Sequence, residues 1–182
     1  PEEEEGLRLL RELGRETDTQ RYLNILKKLV GVLRKLIDVV RFEVPFTAFQ
    51  TLSRHSNDMR RANTQQRYAQ EGLRALAQGK GMELLIDRLC ATTAFNIKNF
   101  IEIFLTIGEA SIDPLIQNLC IRGELQARRR VAHILVAFGD RVVPRLLPML
   151  KDERWFVVRN IIGILGEIRM ESTVPSLREV LG

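Results

Sequence analysis

DRVVPRLLPMLKDERWFVVRNIIGILGEI, residues 140–168, decides how the rest of the chain is read. Pro144 suits a first helical turn, where its missing N–H is not needed and its fixed φ is already helical. Leu146, Leu147, Met149 and Leu150 then supply one apolar side, and KDER at 151–154 forms a polar break. Beyond it Phe156, Val157, Ile161, Ile162, Leu165 and Ile168 recur at helical spacing. The stretch predicts two short amphipathic helices joined by a tight turn. The second helix is apolar over much of its circumference, with Leu165 set to face both its own first helix and the next hairpin. A lone hairpin cannot bury two such faces, so neighbouring copies are required on each side.

Those copies are in the chain. A shift of 31 residues lays Val174, Pro175, Leu177, Val180 and Leu181 on Val143, Pro144, Leu146, Met149 and Leu150. Upstream, the same shift sets Gly139 on Gly108 and Leu146 on Leu115. A shift of 30 to 31 stacks Phe100, Val131 and Ile161, then Ile103, Ile134 and Ile164, then Ile107, Phe138 and Ile168. Three registers therefore agree at one period, the signature of a stacked array.

A two-helix repeat near 30 residues, with DERWFVVRNIIGILGEI and a proline opening each first helix, resembles the HEAT-repeat solenoids. It is most similar to the short bacterial HEAT-like repeats named after the phycobilin lyases, and the resemblance covers residues 82–181. It implies an all-α, right-handed α-α superhelix, with first helices on the convex side and second helices on the concave side. In that family an Asp near the turn and an Arg on the second helix make ladder contacts between repeats; Asp152 and Arg159 stand at those positions. One repeat earlier Arg129 matches Arg159, but Ile121 or Arg122 stands where the Asp would be. Pro148 resembles the proline that kinks first helices in the family. Trp155 falls at a turn where an aromatic is common in such repeats, and packing is its expected role. HEAT-like alkylpurine DNA glycosylases supply the alternative for that tryptophan. HEAT-like deoxyhypusine hydroxylases hold iron with His-Glu pairs, and no such pair occurs here.

The chain divides accordingly. Residues 1–81 read as a helical N-terminal cap and a divergent first repeat, followed by repeats at about 82–108, 109–139 and 140–170, with 171–182 incomplete. Four glutamates open a helix whose Leu7, Leu10 and Leu13 share a face, and acidic residues suit a helix N-terminus. Thr17, Asp18 and Thr19 offer caps for a long helix to about Phe42, whose seam of Tyr22, Leu26, Leu29, Leu33, Leu36 and Val40 is widened by Leu23, Val30 and Ile37. So broad a face reads as packing within the array, with a coiled-coil seam as the alternative. Pro45 and Thr64 mark further helix starts, and Gly79 and Gly81 close the second of these. A last helix at 174–181 without a covering partner reads as a piece of a longer bacterial protein.

At 182 residues with a formal net charge of +5, the chain is mildly basic, which permits an anionic partner without demanding one. Cys90 and Cys120 lie 30 residues apart at the ends of consecutive first helices. They read as small packing residues, with a disulfide or metal site as the alternative. No run of 18 apolar residues and no signal peptide is visible, which fits a cytoplasmic chain with no membrane partner. The two histidines, His55 and His133, share no ligand spacing, and no phosphate loop or nucleophile elbow occurs. No catalytic, metal or cofactor residue is assigned.

The function read from this is a non-enzymatic protein-protein interaction scaffold. Aligning the second helices drafts its concave face: Asn99, Arg130 and Asn160 in one row, Glu102, His133 and Gly163 beside it, then Thr106, Ala137 and Glu167. A face of mixed charge with few aromatics suits a protein or peptide, whereas nucleic acid wants a continuous basic track with stacking residues. The alternative is a nucleic-acid-binding module using Lys98, Arg122, Arg128, Arg129 and Arg130.

Overall fold

The computed structural model describes residues 1–92 and 97–181, with side chains through Arg169. Among the described residues there are helices and turns but no strand. The chain divides into two compact units, one of residues 1–88 and 98–108 and one of residues 89–97 and 109–182.

Unit 1 contains α1 (Glu2–Arg15), α2 (Thr19–Asp38), α3 (Glu43–Asn57), α4 (Asn63–Leu76), most of α5 (Lys80–Ala91) and α6 (Ile97–Ile107). The glutamates Glu2 to Glu5 do occupy the first turn of α1. Asp18 caps α2, its carboxylate accepting from the Arg21 N–H at 2.8 Å. Tyr22, Leu26, Leu29, Leu33 and Leu36 are buried where α2 packs on α1 and α4, so its apolar face is covered within the unit. Gly72 makes that approach close: a Cβ there would stand 2.9 Å from a Leu26 methyl.

The sequence extends α2 to about Phe42, but the helix ends at Asp38. The Val40 and Arg41 N–H groups bond back to the Ile37 and Leu36 carbonyls at 3.0 and 2.8 Å, closing the helix in a Schellman motif. This puts Val40 at φ 61°, a left-handed conformation in which a β-branched residue is strained. Periodicity carries no information about such a cap, because Val40 still continues the apolar spacing.

A polar network runs through the unit. Tyr22 and His55 Nδ1 are 2.9 Å apart and buried, and Arg61 lies 3.2 Å from His55 Nε2. A guanidinium has only donors, so Nε2 accepts, Nδ1 carries the proton and the Tyr22 oxygen accepts it. Arg61 also donates to the Gly14 carbonyl at 2.9 Å and to Gln65 at 3.1 Å, while Gln65 donates to the Thr17 carbonyl at 2.8 Å. The loop between α1 and α2 is thus tied to α4. Burial, reinforced by the Arg61 and Arg54 charges, pushes His55 down to about 4, and burial pushes the Tyr22 phenol up to about 12.

Unit 2 stacks two hairpins. α7 (Ile112–Ile121) packs on α8 (Leu125–Ala137); the short α9 (Val143–Leu146) and the 3-10 segment Leu147–Lys151 pack on α10 (Trp155–Leu181), which in turn packs on α8. Pro148 explains the shortness of α9, since it has no N–H for the Pro144 carbonyl one turn back. The core is aliphatic: Ile112, Leu115, Leu119, Val131, Ile134, Leu135, Leu146, Val157 and Ile161. Cys90 and Cys120 are buried and not disulfide-bonded.

Two expectations are revised here. Leu165 is half-buried rather than enclosed, lining a groove with Val143, Leu147, Leu150 and Ile162. α10 also runs unbroken through 171–174, where the spacing places the start of another first helix. The reason lies in the repeat itself. Gly108 and Gly139 end their helices at φ 87° and 60°, but the next position at that period is Met170, which lacks that freedom. The side chains of Val174, Leu177, Val180 and Leu181 lie outside the described residues.

Candidate functional site

The drafted concave residues fall in both units. In unit 1, Asn99 and Glu102 are exposed on α6 and line a cleft of about 340 Å³ with Gln50, Ser53 and Arg54 of α3 and with Ile103. Thr106, drafted as a face residue, is buried. Its hydroxyl donates to the Glu102 carbonyl at 2.8 Å and meets Ser53 at 3.3 Å, and Asn57 donates to it at 3.0 Å. It ties α6 to α3 rather than offering a contact. Lys98 is exposed on the same helix.

In unit 2 the exposed row is displaced by one residue from the draft. Arg130 and Asn160 are half-buried, whereas Arg129 and Arg159, at the same 30-residue offset, are exposed. Arg130 donates to the Cys90 carbonyl. Asn160, shorter at the equivalent place, leaves its buried amide nitrogen without a partner among the described residues, and the Cys120 carbonyl is met instead by Arg154 at 3.5 Å. The face open to solvent on α8 is Leu125, Arg129 and His133, spaced four apart; on α10 it is Trp155, Arg159 and Gly163 in the same register, with Glu167 beyond. Ala137 is half-buried at the end of α8.

The basic run is mostly engaged. Arg128 donates to the Arg122 and Gly123 carbonyls at 2.9 and 2.6 Å, closing the turn before α8, and Arg122 donates to Asn118 at 3.1 Å. Successive helical residues point about 100° apart, so three arginines in a row cannot share a face. Of the run, Arg129 alone is fully exposed.

Among the described residues neither Asp152 nor Arg159 makes the ladder hydrogen bond to a neighbouring repeat that the resemblance implies. Asp152 is held by Arg154, which donates its backbone N–H at 2.9 Å and its guanidinium at 2.9 and 2.8 Å. These bonds hold the Asp152 carboxyl down at about 2. Arg159 lies instead over the Trp155 ring, 5.0 Å from its centroid. Trp155 is 69 % exposed, so the packing role expected for it is not what this structure shows. It sits at the first residue of α10, one turn before Arg159, and that phase points it along the open face.

These two hairpins coincide with a known family. A family model described as HEAT repeats matches residues 112–182, starting at the first residue of α7. Residues 112–182 are HEAT repeats. The match lies wholly in unit 2 and leaves out 82–108, which the spacing had counted as a repeat. No curated protein matches the chain. In these HEAT repeats α7 and α9 are the first helices and α8 and α10 the second. Their open face joins Trp155 and Leu125 at one end to two arginines and His133 along its length. Arg159 and Trp155 lie on this open face although the drafted rows omit them; the shared 30-residue offset of Leu125 with Trp155 and Arg129 with Arg159 is the signal in the sequence that marks them. Among the described residues no helix is long and apolar enough to cross a membrane, and no cluster of three metal-ligating side chains forms.

Proposed function

We propose that this chain is a non-enzymatic scaffold of the cytoplasm that binds protein or peptide segments through the faces of its helical hairpins. The reading is supported chiefly by the open face of the HEAT repeats, where Trp155 is 69 % exposed and Leu125 is 45 % exposed beside arginines that make no ion pair among the described residues. Exposed tryptophan and arginine are the side chains that dominate protein-protein contacts. HEAT repeats generally mediate protein-protein association. In unit 1 the cleft bearing Asn99 and Glu102 offers a second, polar surface. Buried thiols at Cys90 and Cys120 are consistent with a reducing compartment.

The nucleic-acid reading would need Lys98, Arg122, Arg128, Arg129 and Arg130 to meet phosphates together. Backbone carbonyls and Asn118 already occupy three of them. The test sets a labelled DNA duplex against an array of immobilised peptides. Peptide binding that falls in Trp155→Ala is expected, with duplex binding no tighter than about 10⁻⁶ M at physiological salt. Submicromolar duplex binding that depends on Arg128, Arg129 and Arg130 would replace the scaffold reading with the nucleic-acid one.

A further inference from the structure

Arg129 and Arg159 stand on neighbouring second helices, α8 and α10, which pack against each other. Both are exposed, and neither pairs with a carboxylate among the described residues. Arg154, by contrast, is clamped by Asp152, and Arg145 meets Asp113 at 3.2 Å and Glu109 at 3.7 Å. Arg122, Arg128 and Arg130 are engaged by neutral oxygens within the unit, so among the described arginines Arg129 and Arg159 are the pair left on this open face without a carboxylate partner. One turn before each arginine lies an exposed apolar side chain, Leu125 on α8 and Trp155 on α10. The Arg159 guanidinium is already held over the indole, 5.0 Å from the ring centroid, which limits the rotamer freedom that binding must remove.

Resting on the protein-binding reading above, we infer that this face takes an extended acidic segment whose two carboxylates pair with Arg129 and Arg159 while an apolar side chain packs on Trp155 and Leu125. The spacing follows from geometry. Packed helix axes lie about 8–10 Å apart. A polyproline II segment has three residues per turn and rises about 3.1 Å per residue, so positions i and i+3 face the same way roughly 9 Å apart. A segment of this kind crossing α8 and α10 sets one carboxylate over each guanidinium. Arginine favours this class of partner, since its planar fork binds carboxylate through two charge-assisted hydrogen bonds. Glu124 and Glu153, exposed at the turns before the two helices, mark the end of the face that repels a carboxylate and so favour the apolar residue there.

The test uses the full chain and labelled synthetic peptides in a proline-alanine frame, carrying Glu at i and i+3 and a leucine beside them. Binding at least about tenfold tighter than to the same peptide with Gln at both positions is expected, falling with salt. Arg129→Glu and Arg159→Glu are each expected to weaken it about tenfold or more, and the double variant to prefer the peptide with Lys at i and i+3. These side chains are exposed, so unchanged melting curves confirm that the variants still fold. Equal binding of the Glu and Gln peptides, indifferent to both charge reversals, would overturn the acidic partner while leaving the protein-binding reading intact. No binding by any peptide of the series would also overturn it, whereas arginine-dependent submicromolar binding of duplex instead of peptide would sink both.

Discussion

Unit 1 encloses Tyr22, Phe49, Phe100 and Phe104 completely and threads polar side chains between its helices, whereas unit 2 has an aliphatic core and carries its tryptophan outside. The two use the same turn. Asp58 accepts the Arg60 backbone N–H at 3.0 Å and its guanidinium at 2.9 and 3.2 Å, the arrangement Asp152 makes with Arg154. What differs is how each unit disposes of its large side chains. Unit 1 buries a hydrogen-bonded network, and such groups demand one register because a displaced partner leaves a buried polar atom unpaired. Unit 2 repeats a plain aliphatic pattern, which neighbouring hairpins can satisfy wherever they stack, and its exposed Trp155, Ile162, Ile121 and Leu125 are left for other contacts. Regularity and exposed apolar side chains go together in one unit, and irregularity and tight specification in the other.

Phe49→Ala, at a fully buried site of α3, is expected to cost about 3–5 kcal/mol in chemical denaturation. Trp155→Ala is expected to shift stability by less than about 0.5 kcal/mol, since its ring is mostly in solvent. Comparable losses in both variants would erase the contrast between an enclosed and an open aromatic.

Next comes the network. His55 titrates near 4 in the folded chain and near 6.5 when unfolded, so between those values the unfolded state binds the extra proton. Its contribution is fully present above about pH 6.5 and is lost as pH falls toward 4, amounting to about 2 kcal/mol after allowance for solvent screening. Denaturation midpoints measured across this window should fall with pH in the wild type and fall less in His55→Gln. Parallel curves would show that the histidine is not held neutral.

Smaller still, Leu165→Ala is expected to cost about 1 kcal/mol, because its half-buried side chain borders an open groove and leaves no sealed cavity. A loss of about 3 kcal/mol or more would mean that the groove is filled in solution. The smallest effect runs the other way. Val40→Gly is expected to stabilise by about 0.5–1 kcal/mol, since glycine relieves the left-handed strain at φ 61° but adds freedom to the unfolded chain. Destabilisation there would show that the valine makes contacts outweighing its strain.

The helices, the period near 30 and most of the aliphatic core are legible in the residues alone, because these follow from spacing along the chain. Phe100, Val131 and Ile161, stacked by offset alone, are all fully buried. Tertiary structure decided which side of a helix stays open. Arg129 and Arg130 differ by one residue, so a small error in helical phase exchanges a solvent-facing guanidinium for one bonded to the Cys90 carbonyl. It also decided the polar partnerships. Tyr22 and His55 lie 33 residues apart and Gly14 and Arg61 lie 47 apart, and no local pattern brings them together. Hydrophobic burial needs only a period, which a chain can write in its own spacing; hydrogen bonds and ion pairs need a particular atom at about 3 Å, and only the packed fold supplies that.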